Sequence, residues 1–428
     1  MKIRAAVAFI ILTINSIACN EAPAAIEANK DLTETARFLA GFDSEVDSND
    51  ENKINFSSKF ISKYKAWINK AWDKYETKNL DPIIKWRDAN IKFETKGTLF
   101  YPFSGPDILN ASTFFPEASQ YILMGLEPIG TIPNLKKKKI KDVEKGLKHL
   151  QGALGEILGK YNYFITQYMG YRIGTHSFNG IGGVLMMFLA RTNHEIISLN
   201  KITLNSDSEV ITHLELSKIK SKDISPELKI KLKKVPSRKR RVRGIKIVYR
   251  PYKSTTSSLK TLYYFSGDIS DESFAKNPEL QKFFLSQGEF TSMSKAASYL
   301  MFNSSFDDIR SIVLARSRYI LQGQSGLPYH YFSKDKLWNV KMYGEFKKPV
   351  YHFYYACQPD LAKAVKKQSL GKLPFSYDYH FKPGKSFLLI GERTIEWKSS
   401  DPKFDKKNKK GTTTYCTKEG KLKIGVAR

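Results

Sequence analysis

Residues 101–130 read YPFSGPDILNASTFFPEASQYILMGLEPIG and hold Ser104, Gly105, Asp107 and Glu127 close together in the chain. A carboxylate ending a strand can accept hydrogen bonds from both hydroxyls of a ribose, and Glu127 stands where such a strand would end. Ser104, Gly105 and Asp107 stand at the turn between a strand and a helix, the place where open α/β sheets bind ligands. Ser104 also invites a hydrolase reading, with His330, His352 or His380 as later partners. A nucleophile elbow wants small residues two positions either side of its serine. Pro102 and Pro106 occupy those positions, so a helix-capping serine is the simpler expectation.

Three further groups could do chemistry. Lys295, Ser298 and Tyr299 lie at helical spacing, and a desolvated lysine beside a hydroxyl can carry acid–base work. Asp268 follows the apolar run YYFSG, and Gln322, Gln324 and Ser325 end the expected strand YILQGQSG. Each set would face a ligand at a strand end. Metal chemistry is not indicated: none of the seven histidines has metal-ligand spacing and no CxxC pair occurs. The acidic loop DSEVDSNDENK lacks the Gly and Glu of a calcium loop at the required places. The sequence thus predicts neither metal nor cofactor.

The elements that would position these residues follow from periodicity. A strand over 98–103, a helix over 106–115 and a strand over 120–127 frame the opening stretch. Phe56, Phe60, Tyr64, Trp67, Ala71 and Tyr75 mark an amphipathic helix, so Trp67, Trp72 and Trp86 belong to core rather than to a sugar-binding face. A helical stripe runs from Val143 to Phe164, and GIGGVLMMFLARTN predicts another helix. HEIISLNKITL, IKIVYRPY, LKTLYYFSGD and YILQGQSG predict strands; TSMSKAASYLMF and FDDIRSIVLARSR predict helices. LWNVKMYGEF and VYHFYYAC predict an antiparallel hairpin, and residues 387–397 a last strand. Alternation of this kind predicts an α/β fold: a Rossmann-like, mainly parallel sheet with an antiparallel edge hairpin and a helical amino-terminal part. The expected organisation is a leader over 1–19, a tether and helices over 20–95, the core over 96–356 and a carboxyl-terminal extension over 357–428.

MKIRAAVAFIILTINSIAC has the basic start, apolar centre and small-residue exit of an export signal. Cys19 after Ser-Ile-Ala suggests lipidation, which would anchor the chain through buried methylenes. Cys357 and Cys416 remain, either as a disulfide of an oxidising envelope or as two buried thiols. The chain carries 70 Lys and Arg against 42 Asp and Glu, a net charge of +28. Such a charge attracts anionic surfaces and says little about fold. It is densest in an expected insertion or exposed hairpin over 217–244, at Arg238, Lys239, Arg240, Arg241 and Arg243. No aromatic residue interrupts that run, so a membrane or envelope polymer is a better expected partner than nucleic acid.

The order of elements over 98–356 resembles the Rossmann-like sheet of S-adenosylmethionine-dependent methyltransferases. That resemblance implies that Asp107 and Glu127 match the acidic residues of the glycine loop and of the second strand. The loop departs from the pattern, because Gly105 stands alone between Ser104 and Pro106. The ligand is also a cytosolic metabolite, whereas the leader predicts export. ARFLAG, FYPFSGPD, FFPEASQYILMGLEPIG, KAASYLM and ILQGQSGLP, in this order, resemble an uncharacterised family of exported bacterial proteins. That family implies no activity. The sequence expectation is a lipid-anchored periplasmic or outer-membrane protein that binds an anionic or polar ligand without catalysis. The alternative is an extracytoplasmic methyltransferase-like enzyme or hydrolase using the crevice at Ser104, Asp107 and Glu127.

Overall fold

Leu99, Phe100 and Tyr101, like Tyr121, Ile122, Leu123 and Met124, are consecutive side chains at most 2% exposed. Successive strand residues point to opposite faces, so both faces of the sheet must be covered here. The computed structural model describes residues 27–44, 54, 56–159, 178–221, 224–254, 256–333, 337–346, 358–379, 383–395, 412–416 and 422–426.

Ten of the described strands form one mixed sheet. They are β1 (Thr98–Tyr101), β2 (Gln120–Gly125), β3 (His194–Leu204), β4 (Val210–Thr212), β5 (Arg243–Pro251), β6 (Lys260–Ser266), β7 (Phe290–Ser294), β8 (Ser317–Gln322), β9 (Trp338–Gly344) and β10 (Phe387–Arg393). Their order is β4-β3-β5-β6-β2-β1-β7-β8-β10-β9. The five central strands, β6-β2-β1-β7-β8, are parallel. Both margins are antiparallel: β5, β3 and β4 on one side, β10 and β9 on the other.

Leu99, Tyr101, Tyr121 and Leu123 pack into one core with helices Lys30–Leu39, Lys59–Tyr75, Ile108–Phe114, Ile140–Gly159 and Gly182–Arg191. Phe100, Ile122 and Met124 pack into a second core with helices Asp271–Lys276, Pro278–Leu285, Asp307–Arg316 and Pro359–Gln368. The alternation of strand side chains between the two cores makes a three-layer α/β/α arrangement. Trp72 and Trp86 are buried, and Trp86 meets Tyr343 and Phe375 edge-on at 5.0 and 5.5 Å, so the tryptophans are core as expected.

Three expectations need correction. The segment TSMSKAASYLMF is not one helix: Phe290–Ser294 is β7, beside β1, and a 3-10 helix follows over Ala296–Phe302. Its Ser and Met residues give no β-branched signal, yet every residue of β7 is buried, with Ser292 and Ser317 hydroxyls 2.7 Å apart. Of the expected edge hairpin, LWNVKMYGEF supplies β9, and VYHFYYAC lies outside the described residues. β9 pairs antiparallel with β10, which begins after 42 intervening residues. β10, expected in a carboxyl-terminal extension, therefore lies within the main sheet. Finally, the basic segment is helical rather than a hairpin, with helices Pro226–Lys233 and Arg238–Arg240 leading into β5. Cys19, Cys357 and the leader lie outside the described residues, and of Cys416 only its strand, Thr412–Cys416, is described.

Candidate functional site

The carboxyl ends of β1, β2, β6 and β7 surround a cleft of about 660 Å³, a figure that includes its open mouth. Ser104, Gly105 and Asp107 line it after β1, Glu127 after β2, Gly267 and Asp268 after β6, and Lys295 after β7. Residues placed far apart by sequence thus converge because parallel strands deliver their ends to one side.

The turn after β1 is held against the end of β2. The Gly105 N–H donates to the Met124 carbonyl at 2.9 Å. The Ser104 hydroxyl accepts from the Met124 N–H at 3.0 Å and lies 2.8 Å from the Gly105 carbonyl, its acceptor. This hydroxyl is a backbone staple, and the helix cap expected of it is supplied by Asp107. Asp107 Oδ1 accepts from the Asn110 N–H at 3.2 Å and from the Asn110 side-chain amide at 2.8 Å. A Cβ on Gly125 would fall 2.3 Å from Glu127 Oε2 and 2.7 Å from Gly105 Cα. Gly125 thus lets the two turns touch, and Gly105, at φ +56°, takes the left-handed conformation that glycine tolerates.

Glu127 is 1% exposed and lies over this glycine contact. The Tyr264 hydroxyl, 3.1 Å from Oε2 and 2.9 Å from the Glu127 carbonyl, fixes it from behind. Burial and the Glu127 charge hold Tyr264 well above its ordinary pKa, so it stays a donor. Asp268 sits exposed at the mouth, where its carboxylate accepts from the Ser270 N–H at 3.0 Å and from the Ser270 hydroxyl.

Lys295 is the floor of the cleft. Its ammonium lies 3.4 Å from Asp107 Oδ2, with the two side chains 0% and 2% exposed. Tyr101 donates to the same oxygen at 3.3 Å, and the Lys295 ammonium lies 5.7 Å from the centre of the Tyr377 ring. Burial lowers the Lys295 pKa, against the raising effect of Asp107 and Asp378. Asp378 accepts from the Ala296 N–H at 2.9 Å, the Ser325 N–H at 2.9 Å and the Ser325 hydroxyl at 2.7 Å. Its own pKa is raised by burial, with those bonds opposing. Phe103, Ala296 and Asp378 all have φ between +52° and +60°, so three strained backbones meet around this floor. Strain of this kind costs about 1–3 kcal/mol per residue and gathers where surroundings hold a functional geometry.

Other expected residues lie elsewhere. Tyr299 is half-buried and does not line the cleft. Gln322 ends β8 but clamps its own loop, donating to the Leu327 carbonyl at 2.9 Å and accepting from the Leu327 N–H at 2.8 Å. Arg238, Lys239, Arg240 and Arg243 are exposed, Arg241 is half-buried, and none of the five joins an ion pair among the described residues. Among the described residues no cluster of His, Cys, Asp and Glu could hold a metal. Sequence reasoning missed Gly125, Tyr264, Gly267 and Asp378. The first and third have a visible signal, a glycine just before an acidic strand end; Asp378 has none.

No family model matches the chain, and no curated protein or solved structure matches it either.

Proposed function

We propose that the core is a Rossmann-like sheet of the methyltransferase kind and that its cleft binds an adenosyl ligand such as S-adenosylmethionine. The observation that carries this reading is the pair of carboxylates, Glu127 and Asp268, ending adjacent parallel strands beside the Gly105–Gly125 contact. Glu127 would accept both ribose hydroxyls, and Asp268 the exocyclic amine of adenine between Leu126 and Ile269. The strand order supports it. β1 lies centrally, β2 and β6 step out on one side, and β7 and β8 on the other, with reversed β10 inserted before β9. Methyltransferase sheets share that order, including the reversed strand.

Charge favours an adenosyl cation over a nucleotide. The cleft is lined by Asp107, Glu127 and Asp268 against the single cation Lys295, inside a chain of net charge +28. A sulfonium or ammonium is attracted there, and a phosphate is repelled. The residues therefore fit the group despite the lone glycine of the β1 turn. When bound, such a group would supply an activated methyl, with Glu127 and Asp268 as the residues that would hold its adenosyl part.

A second reading has its own support. The leader and Cys19 favour an exported, lipid-anchored envelope protein, where a cytosolic ligand would be scarce. The basic segment then serves as a non-catalytic site for an anionic partner. Thermal shift separates the two. A ligand at a hundred times its dissociation constant stabilises by about 2.7 kcal/mol. Stabilisation by S-adenosylhomocysteine but not by AMP supports the first reading; no response to either removes it.

A further inference from the structure

The cleft leaves unexplained the most basic part of the molecule, which stands at the same end of the sheet. Arg243 opens β5 opposite Ser266, the last residue of β6, and β6 runs on into Gly267 and Asp268 of the cleft. Arg240 reaches the Lys276 carbonyl at 3.4 Å, on the helix that follows Asp268. The segment is also anchored to the β3–β4 turn, where the Ser206 N–H donates to the Lys234 carbonyl at 2.9 Å and Leu232 is buried. It is thus a docked lobe beside the cleft mouth.

Residues 217–244 contain twelve Lys and Arg against Asp223 and Glu227. The same lobe exposes aliphatic side chains: Leu214 is 66%, Ile219 52% and Ile230 58% exposed. Helices His213–Ser217 and Pro226–Lys233, which carry Leu214 and Ile230, pack against each other. Leu214, Ile219 and Ile230 interleave with Lys218, Lys220, Lys229, Lys231 and Lys233. Cations alone would suit any polyanion. Exposed aliphatics among them suit the boundary between headgroups and acyl chains, where apolar side chains bury while lysines meet anionic lipid. No Phe, Tyr or Trp on which single-stranded nucleic acid would stack occurs in residues 213–244.

We propose that the lobe formed by residues 213–221 and 224–243 docks on an anionic lipid bilayer, with Leu214, Ile219 and Ile230 entering the interface. Docking turns the cleft end of the sheet toward the headgroups. This goes beyond the cleft reading and holds whatever the cleft binds; it sharpens the anionic partner to a lipid surface.

The test is co-sedimentation of residues 20–428, which keep every described residue, with vesicles of neutral lipid alone or with 30% (about one lipid in three) phosphatidylglycerol. The chain should bind only the anionic vesicles. Replacing Arg238, Lys239, Arg240 and Arg243 by Gln should weaken partitioning by about a hundredfold or more, and Leu214→Ser with Ile219→Ser and Ile230→Ser by about tenfold. An Ile230→Trp chain should shift its emission to the blue on these vesicles and be quenched by brominated lipid. Equal binding of neutral vesicles, or anionic binding unaltered in both variants, overturns the proposal. So does an unshifted Ile230→Trp signal with binding retained, which would mean a charge-only polyanion site. Circular dichroism of the variants should match the parent; if it does not, the Ile230→Trp signal alone decides.

Discussion

Replacing Lys295 by methionine should be costly for a specific reason. The substitution keeps most of the stem's volume and deletes a cation that sits 3.4 Å from Asp107 with neither side chain above 2% exposed. Breaking a buried pair by removing one partner costs about 3–5 kcal/mol, because the other charge stays buried and uncompensated. Asp107→Asn should cost a similar amount, since it strands the ammonium, although Asp378 also lies close enough to raise the Lys295 pKa. The double variant Asp107→Asn/Lys295→Met should then cost much less than the two single losses added, with a coupling of at least about 2 kcal/mol. Equilibrium unfolding in urea at neutral pH measures all four corners of the cycle. Additive losses, or a stable Lys295→Met chain, would refute the pair and return Lys295 to an independent acid–base group.

Gly125→Ala should weaken S-adenosylhomocysteine binding at least about tenfold and destabilise by about 1–3 kcal/mol, because its Cβ would meet Glu127 Oε2 at 2.3 Å; calorimetric titration and urea unfolding check both. Ser104→Ala should cost about 1–2 kcal/mol by removing the staple between Gly105 and Met124, and should leave any ester hydrolysis by the chain unchanged. His194 provides a pH signature: burial first, then the Lys260 charge, depress its pKa from 6.5 to about 4. Between those values the unfolded chain binds the extra proton, so this contribution to stability is present above pH 6.5 and is lost as pH falls to about 4. The loss should be at most about 3 kcal/mol and should vanish in His194→Gln, as unfolding measured across that range would show.

The parallel centre of the sheet was legible because β1, β2, β6 and β8 advertise themselves as short apolar runs between helical stripes. β7 was not: Thr291, Ser292 and Ser294 occupy a strand buried on both faces, where the Ser292 hydroxyl pairs with Ser317 while that of Ser294 has no hydrogen-bond partner among the described residues. That one misreading hid the position of Lys295 at a strand end, although the expected neighbour Ser298 does lie one turn away, its hydroxyl accepting from the Lys295 N–H at 3.1 Å. The β9–β10 pairing joins segments separated by residues with their own helix, Pro359–Gln368, a separation that local pattern cannot bridge. Glu127 and Asp268 were readable as strand-end carboxylates. Tyr264 and Asp378, which hold the site from behind, become visible only once the strands are side by side.

Calorimetric titration of residues 20–428 with S-adenosylhomocysteine, run in parallel on Glu127→Gln, bears most directly on the cleft. The account predicts saturable binding at one site, weakened at least about tenfold when the carboxylate that would take both ribose hydroxyls becomes an amide. No heat at millimolar ligand, or equal affinity in the two chains, would contradict it.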